Sequence, residues 1–166
     1  MVKKRYLFIG LLVAILGSMI AIIVFPSEER KVRKQFRLLS GWVSKSPEEN
    51  AFVLLQKMRN VGGLFDEHCE LKTDYPSVSG SYTRDEISTY VSSARSQASR
   101  LDLTFYDIQI AFPEKEVAKV TLTARLTGRS TAGEEMDEIR ELECHLKKIE
   151  KKWLFSQIEV VEVLKK

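Results

Sequence analysis

The sequence is short of cysteine, and its first 25 residues contain no acidic side chain. With two cysteines in 166 residues, the chain is not a small domain held together by many disulfides. Its apolar fraction of 44% excludes an intrinsically disordered chain. Length and composition together predict one globular domain of ordinary size.

The body of the protein also lacks an excess of positive charge. The chain has 26 basic and 23 acidic residues, and three of the basic ones, Lys3, Lys4 and Arg5, lie in the acid-free N-terminal stretch. The 23 basic residues that remain equal the 23 acidic ones, so residues 26–166 are formally neutral. A nucleic-acid-binding protein needs a basic surplus to neutralise phosphates. We therefore predict no nucleic-acid partner.

Residues 6–25 form a long apolar run, YLFIGLLVAILGSMIAIIVF, without a charged residue. As a helix this run is about 30 Å long, which matches the hydrocarbon core of a bilayer. Its length, and the lack of a small-residue cleavage site before Pro26, favour an uncleaved signal anchor over a cleaved signal peptide. We predict a short cytoplasmic tail at 1–5, a transmembrane helix at 6–25 and a soluble domain at 27–166.

Basic residues lie on both sides of the predicted span. Residues 3–5 precede it, and a second group follows it: Arg30, Lys31, Arg33, Lys34 and Arg37. The positive-inside rule therefore gives a divided answer. A tail of five residues usually stays in the cytoplasm, which favours a single-pass protein of the inner membrane with an extracytoplasmic domain. The second group favours either contact with anionic headgroups or an ordinary solvated helix face.

Three helices are predicted at the start of the soluble domain. The first has apolar residues at helical spacing: Val32, Phe36, Leu39 and Val43. The second is predicted to begin at Ser46 and Pro47, because an N-cap residue followed by proline is typical of a helix start. Its expected buried residues are Ala51, Leu54, Leu55 and Met58. The third is predicted to begin at a capping box formed by Thr83 and Glu86.

The remaining sequence is typical of strands. A short strand is predicted at 65–71. Four longer strands follow residue 100, and in one of them apolar residues alternate with polar ones from Ala118 to Leu126. Short turns join these long strands, so an antiparallel meander is the simplest topology.

This order of elements resembles the nuclear transport factor 2-like superfamily, in its SnoaL-like branch. The resemblance rests on residues 79–87 at the start of the third helix, on the paired long strands, and on residues 151–158 at the opening of the last strand. It implies an α+β fold: a cone-shaped, cystatin-like domain in which three helices pack on a curved antiparallel sheet. None of these features is a catalytic motif.

The resemblance leaves two classes of function open, because this fold carries enzymes, ligand binders and assembly modules. The predicted anchor and the lack of a clear acid–base set favour a noncatalytic binding or assembly module of the cell envelope, with an envelope protein as partner. The alternative is a SnoaL-like isomerase, dehydratase or hydrolase, or a carrier of a small apolar ligand. A homodimer, common in the superfamily, is compatible with either. No cofactor is predicted.

Five residues are candidates for a site in the cone. Asp66 and His68 alternate on one face of the short strand, where either could serve as a general base or simply face solvent. Tyr82, Tyr90 and Tyr106 could donate phenolic hydroxyl groups to a ligand, or could pack their rings with the hydroxyl in solvent.

The two cysteines pose a separate question. Cys69 and Cys144 could form one disulfide in an extracytoplasmic domain, or could be two buried free thiols. Each lies next to a histidine, His68 and His145. Because successive strand side chains point to opposite faces, neither pair can give both members to one tetrahedral site. We therefore predict no metal site.

Overall fold

The computed structural model describes residues 27–73 and 78–163. The predicted tail and transmembrane helix, at 1–5 and 6–25, lie outside these residues. Within them no helix is long and apolar enough to cross a membrane. The described residues form three helices: α1 at 27–43, α2 at Ala51–Gly62 and α3 at Arg84–Ser96.

Six strands form one curved sheet against which the helices pack. They are β1 (Phe65–Lys72), β2 (Gly80–Thr83), β3 (Ala98–Glu114), β4 (Val117–Ser130), β5 (Glu135–Ile149) and β6 (Lys152–Val163). Their order across the sheet is β2-β1-β6-β5-β4-β3. The predicted meander is confirmed, since β3, β4, β5 and β6 pair antiparallel in sequence order.

The expectation of a purely antiparallel sheet is wrong, because β1 pairs parallel to β6. The sheet is therefore mixed. Helix α3 and four strands separate β1 from β6 in the chain, so neither a turn nor local alternation in the sequence indicates this pairing. Strand β2, which was not predicted, pairs antiparallel with β1 at the edge of the sheet.

The predicted apolar stripe of α1 forms part of the core. Val32, Phe36 and Leu39 are buried against the inner face of the sheet. The capping box of α3 is also confirmed: the Thr83 side chain accepts the Glu86 amide, and the Glu86 side chain accepts the Thr83 amide. Helical spacing and capping residues thus predicted both helices, because each signal is local in sequence.

Helix α2 begins later than the sequence indicated. Its N-cap is Asn50, whose side chain accepts the Val53 amide at 2.9 Å. The expected start at Ser46 is wrong, because the Glu49 carboxylate pairs with Lys57 and Arg95 instead of closing a capping box. The predicted buried face is partly wrong as well, since Leu55 is 71% exposed.

Candidate functional site

The concave side of the sheet and the helices enclose an apolar cavity of about 450 Å³. The helices contribute Phe36, Leu39 and Val43 from α1 and Ile87, Tyr90 and Val91 from α3. The sheet contributes, among others, Leu103, Phe105, Ala124, Leu126, Leu142 and Ile158. Successive side chains of a strand point to opposite faces of the sheet, so every second residue of β4 and β5 points into the cavity. These inward-pointing residues are the apolar ones.

Packed aromatic rings form the deep end of the cavity. The Phe36 ring contacts Phe105 and Phe155 edge-on, with centroids 5.4 and 5.0 Å apart. Phe65 packs on Phe155 at 5.3 Å. Phe36, Phe65 and Phe155 are all buried, so this end of the cavity is closed by side chains of the protein itself.

Two tyrosines mark the opening of the cavity. Tyr82 and Tyr90 meet edge to face with centroids 5.4 Å apart. The Tyr82 hydroxyl donates to the backbone carbonyl of Val78 at 2.8 Å. Tyr90 and Val78 are 60% and 48% exposed although both line the cavity. The Tyr82 hydroxyl therefore fixes the edge of the opening, and the Tyr90 side chain lies partly in solvent.

Tyr106 lies elsewhere, on the outer face of the sheet. It pairs with Thr123 of β4, whose side chain points away from the cavity, and it does not line the cavity. It faces outward because it follows the inward-facing Phe105, and a bulge comes directly after it at Asp107, which has a φ of 53°. The bulge changes which residues of β3 face inward, from Leu103 and Phe105 before it to Ile108 and later residues. In the sequence, the apolar residues of this strand change from odd to even positions at this point. That change is the signal from which the bulge could have been predicted.

Neither candidate base lines the cavity. On β1 it is Phe65 and Cys69 that are buried, whereas His68 is exposed. Asp66 is half-buried, and its carboxylate accepts the Glu67 amide at 2.8 Å. The structure thus brings Tyr82 and Tyr90 together at the cavity and leaves Asp66 and His68 outside it.

The cavity wall offers little polar chemistry. None of the described residues that line it carries a carboxylate, an imidazole or a cationic group. The Cys144 thiol is present, but burial raises its pKa far above the ordinary range, so it is not a thiolate nucleophile. Within the described part of the chain, no group of three or more His, Cys, Asp or Glu residues could hold a metal ion.

Similar architectures occur among solved structures. One is a candidate scytalone dehydratase from Novosphingobium aromaticivorans, 18% identical with a TM-score of 0.63 over 81% of this chain and 83% of that one. Another is a hexachlorocyclohexane dehydrochlorinase, LinA type 2, 7% identical with a TM-score of 0.63 over 80% and 83%. The chain has the nuclear transport factor 2-like cone fold.

A third similar structure has a different role. It is a candidate calcium/calmodulin-dependent protein kinase II association domain from Xanthomonas campestris, 12% identical with a TM-score of 0.60 over 80% of this chain and 86% of that one. No protein-family model and no curated protein matches the sequence. Identities this low show the fold alone, and the chemistry of the cone has to be argued from its own residues.

The two cysteines are free, buried thiols in the cone. Cys69 lies on β1 and Cys144 on β5, with β6 between them. Two strand spacings amount to roughly 10 Å, whereas the Cα atoms of a disulfide are about 4–7 Å apart. Burial, with a smaller effect of Asp66 and Glu70, raises the pKa of Cys69 to about 12.

The outer face of the sheet contrasts with the cavity because it carries ion pairs. Arg125 binds Asp137 through two hydrogen bonds of 2.9 and 2.8 Å, and Lys119 pairs with Glu143 at 2.9 Å. The hydrogen bonds from Lys119 and then His145 lower the pKa of Glu143. Charged side chains thus occupy the solvent side of β4 and β5, and the apolar side chains of the same strands line the cone.

Proposed function

We propose that this protein is a noncatalytic binding module that takes one small apolar ligand into its cone and is held at the membrane by the predicted span at 6–25. The observation that carries the proposal is the cavity of about 450 Å³ and its apolar wall. Pockets for small molecules usually measure about 300–1,000 Å³ and are mostly apolar. Each CH₂ group that a ligand buries there contributes about 0.8 kcal/mol.

The opening suggests how such a ligand is oriented. Tyr90 carries a hydroxyl beside the apolar wall, and the Tyr82 hydroxyl already donates to Val78. A ligand with an apolar body and at most one polar end matches this arrangement. A ligand with a charge at its centre does not, because the described wall offers that charge no counter-ion.

A cavity-filling variant tests the proposal. The full chain, reconstituted in lipid nanodiscs, is titrated with N-phenyl-1-naphthylamine, and energy transfer from the protein's tryptophans to the probe is measured. Ala124→Phe fills the cavity from β4. The phenyl ring takes up space that the probe would occupy, so we expect probe affinity to fall about tenfold or more, a loss of at least about 1.4 kcal/mol in binding free energy.

The matched control is Ala111→Phe, which adds the same side chain at an exposed position of β3. It should bind the probe like the unmodified protein, and probe dissolved in the lipid contributes the same background to every sample. Equal affinities for the Ala124 and Ala111 variants would contradict binding in the cone.

A reaction in the cone is the second candidate, favoured by the enzymes among the similar structures. It requires Asp66 or His68 to act on a substrate in the cavity, and the absence of both residues from the described cavity wall weighs against it. A ligand recovered unchanged after incubation with the protein supports the binding module. Turnover that Asp66→Asn or His68→Gln abolishes, with probe binding intact, supports the enzyme.

A further inference from the structure

The first turn of α1 is fastened to the hairpin formed by β5 and β6. The Trp153 indole N–H donates to the Glu28 carboxylate at 2.8 Å, and the Lys148 ammonium pairs with the same carboxylate at 3.0 Å. Trp153 is buried, and Lys148 and Glu28 are mostly shielded from solvent. The start of α1 therefore has a fixed position beside one end of the sheet.

Contacts along α1 show which end of the sheet this is. Arg33 donates to the carbonyl of Ile108 at 3.0 Å, and Ser40 donates to the carbonyl of Leu103 at 2.6 Å. As α1 proceeds, its contacts move back along β3, so the two elements run in opposite directions. The start of α1 thus lies at the end of the sheet that carries the β3–β4 and β5–β6 turns. The Lys148 amide joins these turns by donating to the carbonyl of Glu116 at 2.9 Å.

The β5–β6 turn is basic and projects from that end. We call residues 147–152 the hairpin tip; its members are Lys147, Lys148, Ile149, Glu150, Lys151 and Lys152. Lys147, Lys151 and Lys152 are exposed and outnumber the one glutamate, Lys148 is paired with Glu28, and Ile149 is 39% exposed. The neighbouring β3–β4 turn adds Glu114, Lys115 and Glu116, which leaves the whole end positively charged.

We propose that the hairpin tip contacts the surface of an anionic lipid bilayer. The inference rests on the predicted span, which ends at residue 25, two residues before the described start of α1. Because Glu28 holds that start against the hairpin, a span leaving the bilayer there brings the tip to the headgroups. Lysines attract anionic headgroups within a Debye length of about 8 Å, and an exposed isoleucine among them suits the interface.

The same geometry keeps the cavity away from the bilayer. The cavity-lining residues of α1, Phe36, Leu39 and Val43, follow Glu28 by 8 to 15 residues. At 1.5 Å per residue they lie about 12–22 Å farther along the helix. The tip and the cavity are thus separate sites, so the proposal for either one can be wrong while the other holds.

The test places a dye at either end of the sheet. The full chain carries one introduced cysteine, by Glu150→Cys at the tip or Ala132→Cys in the β4–β5 turn, about 45 Å away along β5. Cys69 and Cys144 are buried and react slowly. Energy transfer to a headgroup-labelled lipid is measured in nanodiscs of phosphatidylcholine alone or with phosphatidylglycerol.

We expect severalfold greater transfer from position 150 than from position 132, and a further increase at position 150 with phosphatidylglycerol. Lys151→Glu with Lys152→Glu should remove that increase, since each lysine changes the affinity for an anionic surface about fivefold. Arg100→Glu with Arg129→Glu, an equal change of charge at exposed positions near the β4–β5 end of the sheet, should leave it unchanged.

Three results would overturn the proposal. One is equal energy transfer in both lipids with no effect of the lysine substitutions. It would mean that the predicted span alone determines the distance between the dye and the labelled lipid. Another is greater transfer from position 132. The third is a full chain that associates with neither kind of nanodisc. Binding of the naphthylamine probe, measured on the same samples, shows separately whether the cavity proposal stands.

Discussion

Charged side chains hold both ends of α1, but the two ends differ in burial. We call the start of the helix, at Glu28, its near end, and the end of the helix, at Val43, its far end. At the far end, Arg95 of α3 is 1% exposed and donates to the carbonyls of Trp42, Val43 and Ser44 at 2.9, 2.5 and 2.6 Å. It also forms an ion pair with Glu49. At the near end, Glu28 accepts from Trp153 and pairs with lysines that partly face solvent.

The difference shows which end determines the shape of the cone. The last carbonyls of a helix lack partners within the helix and carry partial negative charge. Arg95 satisfies three of these carbonyls and so holds Val43 in the cavity wall. Its hydrogen bonds come from Nη1 and Nη2, whereas the buried Nε has no hydrogen-bond partner among the described residues. A buried guanidinium that loses its partners is costly, so this end resists rearrangement. The near end can lose a contact to water at much lower cost.

The largest expected effect comes from breaking the far end. Arg95→Met removes the donors to the α1 carbonyls and leaves the buried Glu49 carboxylate with Lys57 alone. Breaking a buried pair costs about 3–5 kcal/mol, so we expect urea unfolding, followed by tryptophan fluorescence, to show a loss of that size. Probe binding in the cone should weaken too.

Arg100→Met is the matched control. Arg100 is an exposed arginine whose nearest carboxylate, Asp102, lies 3.8 Å away, and such surface substitutions usually change stability by less than about 0.5 kcal/mol. A loss below about 1 kcal/mol for Arg95→Met would show that the buried pair does not hold the far end.

This far end also marks a limit of what the sequence could predict. The capping box of α3 and the apolar stripe of α1 depend on residues within a few positions, and both were found. Arg95 and Glu49 are 46 residues apart, and no local pattern pairs them. Without that pair, Ser46 and Pro47 looked like a helix start, although α2 begins at Ala51.

The candidate site shows the same limit. Tyr82 and Tyr90, two of the candidate phenolic donors, line the cavity. Tyr106 was included only as a possible phenolic donor, and it lies on the outer face of β3, directly before the bulge at Asp107. The volume of the cavity depends on how α1, α3 and six strands pack, and no pattern within a single element specifies that packing.

A smaller effect is expected at the near end. Glu28→Gln keeps the shape of the side chain but removes the charge that pairs with Lys31 and Lys148. Because Lys31 is half exposed, solvent screening weakens its pair, and we expect a loss of about 1–2 kcal/mol in urea unfolding at neutral pH. Probe affinity should stay within about twofold, since Glu28 does not line the cavity.

Glu29→Gln is the control for this end. Glu29 pairs with Arg33 one turn away on the same helix, and both side chains are more than 40% exposed. Its loss should be near the value of about 0.3–0.5 kcal/mol that is typical of such pairs. If Glu28→Gln weakens probe binding as much as Arg95→Met, the two ends of α1 are not independent and the comparison fails.

The smallest effect is the pH dependence that Glu28 adds. Burial alone would raise its pKa, but hydrogen bonds from Lys31, Lys148 and Trp153 prevail and lower it from 4.5 to about 2. A carboxyl group whose pKa is lower in the folded state stabilises the fold above the unfolded pKa, and this stabilisation disappears as the pH falls toward the folded pKa. The unmodified protein should therefore lose most of its advantage over Glu28→Gln between pH 4.5 and about 2. Comparing the two proteins cancels the titration of Glu49, whose pKa is also lowered. A constant difference between their unfolding midpoints across this range would mean that the Glu28 charge contributes nothing to the near end.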